Sequence, residues 1–282
     1  MHANLPEIID SLPSLRLIVE SHGLLAKKAL GQNFLLDRNI TDKIIRLSLE
    51  KQEKKDFRDE YVFEIGPGPG GLTRSVLCQN PKRLTVVEMD ERCIDIMKEI
   101  KEKTGDCLEI INGDALKVDF SRFEGKPKNI VSNLPYNISV PLLIGWLKQI
   151  KSYDSLTLMF QKEVADRITA PIKSKDYGRI SILSQILCKI DRLFDISPEC
   201  FVPAPKIFST VVLFRPLERE ISPEIIERIE KITALAFAQR RKMIRQSLKS
   251  WSGIEAKCAT LNIPMTARAE EITPEQYLRL AM

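Results

Sequence analysis

Between about residue 60 and residue 160 the sequence alternates short apolar runs with segments of helical period, and this alternation leaves few folds open. Tyr61–Ile65, Leu84–Met89, Leu108–Ile111, Asn129–Ser132 and Leu156–Phe160 have strand length. Gly71–Gln79, Glu91–Lys103 and Pro141–Ile150, lying between them, have helical spacing. Strands that are apolar on nearly every residue and are joined by helices predict an α/β fold with a mostly parallel sheet covered on both faces. Two further runs, Lys189–Asp195 and Thr210–Phe214, leave no room for a full helix between them, and an antiparallel hairpin at one sheet edge is expected, giving seven strands. After Pro216 the pattern is helical only: Pro223–Gln239, Lys242–Trp251, Glu255–Leu261 and Pro274–Ala281, several opened by a proline in the first turn. A small all-helical C-terminal domain is expected there.

Composition removes several chemistries. The 282 residues contain only two histidines, His2 and His22, so Ser-His-Asp triads and histidine-ligated metal sites have little to build on, and no metal is expected. The six cysteines never form a CxxC pair and sit in apolar segments, as reduced cysteines do, which points to the cytoplasm. The longest uncharged run, Asn129–Leu147, has 19 residues, but three asparagines and two prolines within it argue against a membrane span. Residues 1–20 hold three acids against Arg16 and resemble no targeting signal. A net charge of +5 permits a nucleic-acid partner without requiring one.

The segment Glu64-Ile65-Gly66-Pro67-Gly68-Pro69-Gly70-Gly71-Leu72-Thr73 follows a strand and opens a helix, a geometry that presents backbone amides at the end of a sheet. A phosphate-binding P-loop is excluded, because Leu72 stands where its lysine belongs. Gly66, Gly68 and Gly71 formally satisfy the dinucleotide pattern, so that reading stays open beside a plain tight turn. Glu88 ends the second strand 22 residues after Gly66, where a carboxylate can accept both hydroxyls of a ribose. Asp114, after the third strand, is placed to accept from an adenine amino group.

The fourth strand runs into Asn133-Leu134-Pro135-Tyr136. A nucleobase amine is a poor nucleophile because its lone pair is delocalised into the ring. Two acceptors, the Asn133 side-chain oxygen and the Leu134 carbonyl, can bind its two hydrogens and turn the lone pair towards an electrophile. Pro135 would fix the backbone that aims them, and Tyr136 would stack on the base. The bland alternative is a loop turn with a half-buried aromatic.

With these segments stand Ala29-Leu30-Gly31-Gln32-Asn33-Phe34-Leu35, Val86–Asp90, Gln161–Val164, Tyr177-Gly178-Arg179, Phe201-Val202-Pro203-Ala204-Pro205-Lys206 and Ala236–Lys242. Taken in order from about residue 26 to 250, the series resembles the ribosomal RNA adenine dimethyltransferases of the RsmA/KsgA type. The resemblance implies a Rossmann-like class I methyltransferase domain at 26–216, preceded by an extension at 1–25 and followed by a helical RNA-contacting domain at 217–282. It implies S-adenosylmethionine as donor and dimethylation of N6 on two adjacent adenosines near the 3′ end of small-subunit rRNA, in small-subunit biogenesis. It places Asn33, Leu35, Gly66, Gly68, Glu88, Asp114 and Asn133 around the donor, and Phe201 as a second aromatic wall facing Tyr136. Phe208 departs from the family, where an acidic or polar residue commonly precedes the serine.

Between Gln239 and Ser250 five basic residues, Arg240, Arg241, Lys242, Arg245 and Lys249, occur without an acid, and such a helix face is expected to meet phosphates. Lys173, Lys175 and Arg179 form a second candidate contact. The expected partner is the small ribosomal subunit, met by a monomer. The competing functions are a large-subunit rRNA adenine methyltransferase of the Erm type and a non-catalytic assembly or transcription factor on the same scaffold.

Overall fold

The computed structural model describes residues 4–24, 33–123, 125 and 128–282. Ala29–Gln32 of the quoted series lie outside the described residues. The chain divides into two compact units: Met1–Leu143, Lys151–Lys162 and Asp191–Arg215 form the first, and Ile144–Ile150, Glu163–Ile190 and Pro216–Met282 the second.

The first unit opens with two short helices, α1 (Leu5–Asp10) and α2 (Leu15–Ser21), then β1 (Phe34–Leu35) and α3 (Arg38–Lys51). Next come β2 (Tyr61–Ile65), α4 (Gly71–Leu77), β3 (Arg83–Glu88), α5 (Glu91–Thr104), β4 (Leu108–Asn112) and β5 (Lys128–Asn133). α6 (Ser139–Lys148) and β6 (Ser155–Gln161) follow, and the strands after them are β7 (Cys188–Ile196), β8 (Phe201–Val202) and β9 (Ser209–Pro216). The main sheet has seven strands in the order β4-β3-β2-β5-β6-β9-β7. Its first five are parallel, and β9 runs antiparallel to β6. The central strands are buried at nearly every residue, as strands covered on both faces are; β7, at an edge, is buried only at its two ends, Cys188 and Ile196. The 19-residue uncharged run divides between β5 and α6, and among the described residues no helix is long and apolar enough to cross a membrane.

β7 and β9 are edge neighbours as expected, but the segment between them is no simple turn. It contains β8, which leaves the sheet to pair antiparallel with β1, Leu35 lying opposite Phe201. The N-terminal helices bury Leu5, Ile9, Leu15 and Ile18, and the Arg74 guanidinium of α4 donates to the Pro13 carbonyl at 2.6 Å.

The second unit contains α7 (Lys162–Ile168) from its second residue, α8 (Arg179–Leu187), α9 (Pro223–Ala238), α10 (Ile244–Ser247), α11 (Ile254–Thr260) and α12 (Pro274–Ala281). Ser222 and Thr273 cap α9 and α12, each followed by a proline. The unit is not confined to 217–282, because α8 buries Ile182, Leu183, Ile186 and Leu187 and packs on α9 and α12. The expected helix over Lys242–Trp251 is corrected to the four residues of α10. Met243 is extended and bridges to Arg268, and the Ile244 and Arg245 amides donate to the Ala267 and Met265 carbonyls. The bridge at Met243 holds the start of the helix back to Ile244, and Leu248 leaves helical geometry after one turn.

Candidate active site

In a parallel sheet every strand ends on the same side, so the residues following β2, β3, β4 and β5 converge. Here they line a cavity of about 330 Å³ within the first unit. The glycine loop sets one wall. Gly66 donates its amide to the Val87 carbonyl at 2.9 Å, binding the loop to β3. Gly68 has φ +55°, and a Cβ there would stand 3.0 Å from the Phe34 ring; a Cβ at Gly71 would stand 2.5 Å from the Leu35 carbonyl oxygen. The glycines let β1 approach the loop, which brings Asn33 and Leu35 to the cavity.

Glu88 is 7% exposed at the end of β3. Its Oε1 accepts from the Met89 and Asp90 amides at 2.8 and 2.9 Å, and its Oε2 from the Gly68 amide at 3.4 Å. Burial pushes its pKa up while the three amides oppose that shift. The carboxylate is fixed in direction, and Oε2, holding a single long contact, keeps acceptor capacity towards the cavity. Asp114 caps a short 3₁₀ turn, its Oδ1 accepting from the Leu116 amide at 3.0 Å. Met89 and Leu116, 58% and 49% exposed, add apolar side chains to the lining. The sequence reading missed both; an apolar residue directly after, or two residues beyond, an acid at a strand end was the available signal.

The Asn133 Nδ2 donates to the Asn33 carbonyl at 3.2 Å, and this bond sets the amide so that Oδ1 remains as acceptor. Ser132 Oγ donates to the Ile65 carbonyl at 2.7 Å and pins the end of β5 to β2. Leu134, Pro135 and Tyr136 continue along the lining. The Tyr136 hydroxyl is engaged with Ser209 Oγ at 2.7 Å, and burial raises its pKa. Ser209, fully buried at the start of β9, was not singled out in the sequence. Removing this bond by Tyr136→Phe or Ser209→Ala is expected to slow turnover less than tenfold, as one neutral hydrogen bond is worth about 0.5–1.5 kcal/mol. Tyr136→Ala, which removes the ring, is expected to cost about 1–3 kcal/mol. Steady-state turnover of the three variants checks the order, and equal losses for Phe and Ala would sink the stacking role.

Asn33, Leu35, Gly66, Gly68, Glu88, Asp114 and Asn133, the expected donor residues, thus lie along one cavity with Leu134, Pro135 and Tyr136. Phe201 does not line it: its ring is 2% exposed in β8 and packs in the core that includes Leu35. The eight basic residues expected at RNA all belong to the second unit. Among the described residues no group of three or more His, Cys, Asp or Glu could hold a metal ion.

Glu64 also lines the cavity, 1% exposed, and accepts from Thr73 Oγ1 at 2.7 Å. Desolvation is the main reason its pKa rises to about 8. A carboxyl whose folded pKa lies above its unfolded value near 4.5 takes up a proton on folding. Its contribution is therefore intact below about pH 4.5 and is lost as pH rises towards 8. Glu64→Gln is expected to flatten the fall of melting temperature between pH 5 and 8; thermal melts at both pH values test it, and parallel curves for the two proteins would place Glu64 as ionised throughout.

The family model described as ribosomal RNA adenine dimethylase matches residues 23–282. Ribosomal RNA small subunit methyltransferase A of Rhodospirillum rubrum is 45% identical over 272 residues, 96% of this chain and 92% of that protein. The protein of the same name from Allorhizobium ampelinum is 46% identical over 277 residues, covering 97% and 98%. Among solved structures, a dimethyladenosine transferase from Plasmodium falciparum superposes with TM-score 0.70 at 25% identity, covering 86% of this chain and 94% of that one. The 23S rRNA methyltransferase ErmE gives TM-score 0.65 at 26% identity, covering 88% and 98%. A match that spans the glycine loop, the acids at the strand ends, Asn133–Tyr136 and the helical second unit alike makes this chain a methyltransferase of the ribosomal RNA adenine dimethylase family.

Proposed function

We propose that the protein dimethylates N6 of two adjacent adenosines in the 3′-terminal hairpin of small-subunit rRNA, with S-adenosylmethionine as donor, as a cytoplasmic monomer serving small-subunit biogenesis. The observation that carries this reading is the Asn133 amide, oriented by Asn33 so that an acceptor oxygen is left at the same cavity as Glu88 and Asp114. The relatives named as small-subunit methyltransferases support the choice of subunit.

The residues present fit the donor. Glu88 offers a buried, fixed acceptor for paired ribose hydroxyls, Asp114 an acceptor for an adenine amine, Met89 and Leu116 apolar flanks for a flat base, and Gly66 and Gly68 a backbone without side chains. When bound, S-adenosylmethionine supplies an electrophilic methyl group. The chain's own work is orientation: Asn133 Oδ1 and the Leu134 carbonyl accept the two hydrogens of the target amine and draw its lone pair out of conjugation, and Tyr136 stacks on the base. No side chain needs to act as a strong base, because the amine becomes acidic as it is alkylated. The exposed cations of the second unit, Lys173, Lys175, Arg179, Arg241, Lys242, Arg245 and Lys249, meet rRNA phosphates.

The test incubates purified protein and methyl-labelled donor with undermethylated small and large subunits and maps the label. Label confined to two adjacent adenosines of the small subunit is the expected result. Label in the large subunit would favour the activity named for ErmE, and no label in either would favour a non-catalytic role.

A further inference from the structure

Seven of the eight basic residues expected at RNA are exposed, and Arg240 is the exception. It follows the C-terminal end of α9, and three of the five N–H donors of its guanidinium, one on each nitrogen, are engaged within its own unit. Nε donates to Glu270 Oε2 at 2.6 Å, Nη1 to the Lys175 carbonyl at 2.6 Å and Nη2 to the Ser174 carbonyl at 2.9 Å. Glu270 also meets the same loop directly, its backbone carbonyl accepting from the Lys173 amide at 2.8 Å. Lys173 is held at φ +67°, a left-handed conformation that a lysine in a free loop rarely keeps. Neither half of this arrangement suits a solvated arginine. A guanidinium whose three nitrogens each hold an acceptor is fixed in one orientation, and its planar fork suits joining three acceptors from two segments.

We propose that Arg240 and Glu270 form a strut that holds Lys173 and Lys175 beside Arg241 and Lys242 as one preformed phosphate-binding surface, Arg240 being a positioning residue and not itself a phosphate contact. The proposal rests on the reading above that the second unit meets rRNA. Its sign is distinctive. Removing an acid from a basic surface strengthens phosphate binding by simple electrostatics, but removing the Glu270 carboxylate frees Arg240 to turn, loosens its hold on the Ser174 and Lys175 carbonyls and weakens binding.

Binding of the full-length protein to undermethylated small subunits is measured across a salt series for wild type, Glu270→Ala, Glu270→Gln, Arg240→Lys, Arg240→Ala and the Arg240→Ala/Glu270→Ala double variant. Trypsin cleavage after Lys173 and Lys175 is followed in parallel. Glu270→Ala is expected to weaken binding about three- to tenfold, the worth of one hydrogen-bonded group, and to speed cleavage. Arg240→Lys, which keeps the charge and loses the fork, is expected to match Arg240→Ala, and the double variant to bind no worse than Arg240→Ala alone. Glu270→Gln, which retains an acceptor oxygen, is expected to fall between wild type and Glu270→Ala.

Tighter or unchanged binding in Glu270→Ala overturns the strut. Wild-type affinity in Arg240→Lys, together with a salt slope flattened by about 0.7–0.9 in Arg240→Ala, overturns it as well and makes Arg240 a phosphate contact. Should Glu270→Ala fail to fold, as judged by melting and by donor affinity, the comparison of Arg240→Lys with Arg240→Ala decides alone. The Lys173→Gln/Lys175→Gln variant separates the underlying reading: a slope flattened by roughly 1.5 supports these lysines as phosphate contacts, and an unchanged slope overturns that reading whatever the trypsin rates report on the strut.

Discussion

Asn133→Ala is expected to lower single-turnover methylation, at saturating donor and RNA, by at least about a hundredfold, equivalent to about 2.7 kcal/mol of barrier. Asn133 is the residue whose side-chain oxygen is free to accept while its nitrogen is tied to the Asn33 carbonyl. Truncation removes the acceptor and the bond to the Asn33 carbonyl in one step, so the amine keeps its lone pair in the ring. Asn133→Asp isolates the two effects: it retains an oxygen acceptor but turns a carboxylate against the Asn33 carbonyl, and activity between wild type and alanine is expected. A loss below tenfold for Asn133→Ala would mean that the amine is activated elsewhere.

Glu88→Ala is expected to weaken binding of S-adenosylhomocysteine by roughly 1.5–3 kcal/mol, about ten- to a hundredfold, through lost charge-assisted hydrogen bonds. Calorimetry measures this directly. RNA affinity is expected to hold, because the cations assigned to it belong to the second unit. Since Glu88 also accepts three backbone amides, a melting curve accompanies the titration. The pH dependence has a definite sign: with a pKa raised by burial, Glu88 takes up its proton on acidification earlier than an ordinary glutamate, so donor affinity falls as pH is lowered through that range. Unchanged donor affinity in Glu88→Ala would remove the residue from the site.

The cavity was legible because Glu88 and Asp114 stand at or just beyond strand ends, and strand ends in a parallel sheet can be read from apolar run length. Glu88, Asp114 and Asn133 all terminate or follow such runs, and all reach the cavity. Other features gave weaker signals for particular reasons. The inner face of α3 includes Thr41 and Ser48, which hydrogen-bond to Ser75 and Thr157, so its apolar stripe is too thin to stand out. α8 buries Ser181 and Ser184 beside its aliphatic residues and has no side-chain cap, which hides both its period and its start. Glu64 sits inside an apolar strand, where an acid reads as an interruption, and its exposure to the cavity follows only from the loop folding over it. Over 242–251 the helical period is present in the side chains, but Met243 is extended and bridges to Arg268. Ser209 became significant only through its pairing with Tyr136 from 73 residues away.

The place of β9 in the sheet bears on how the chain matures during synthesis. It lies between β6 and β7, although it is the last strand in the chain. Until residues 209–216 have emerged, the outer edge of β6 has no partner, and Tyr136 lacks the serine that holds its hydroxyl. An elongating chain halted before that point presents an open strand edge, the kind of surface on which nascent proteins aggregate or recruit chaperones. The cavity wall that contains Tyr136 is therefore completed late, by a strand that closes the sheet from within, and a truncation ahead of residue 209 costs the α/β unit its own integrity as well as the helices that follow.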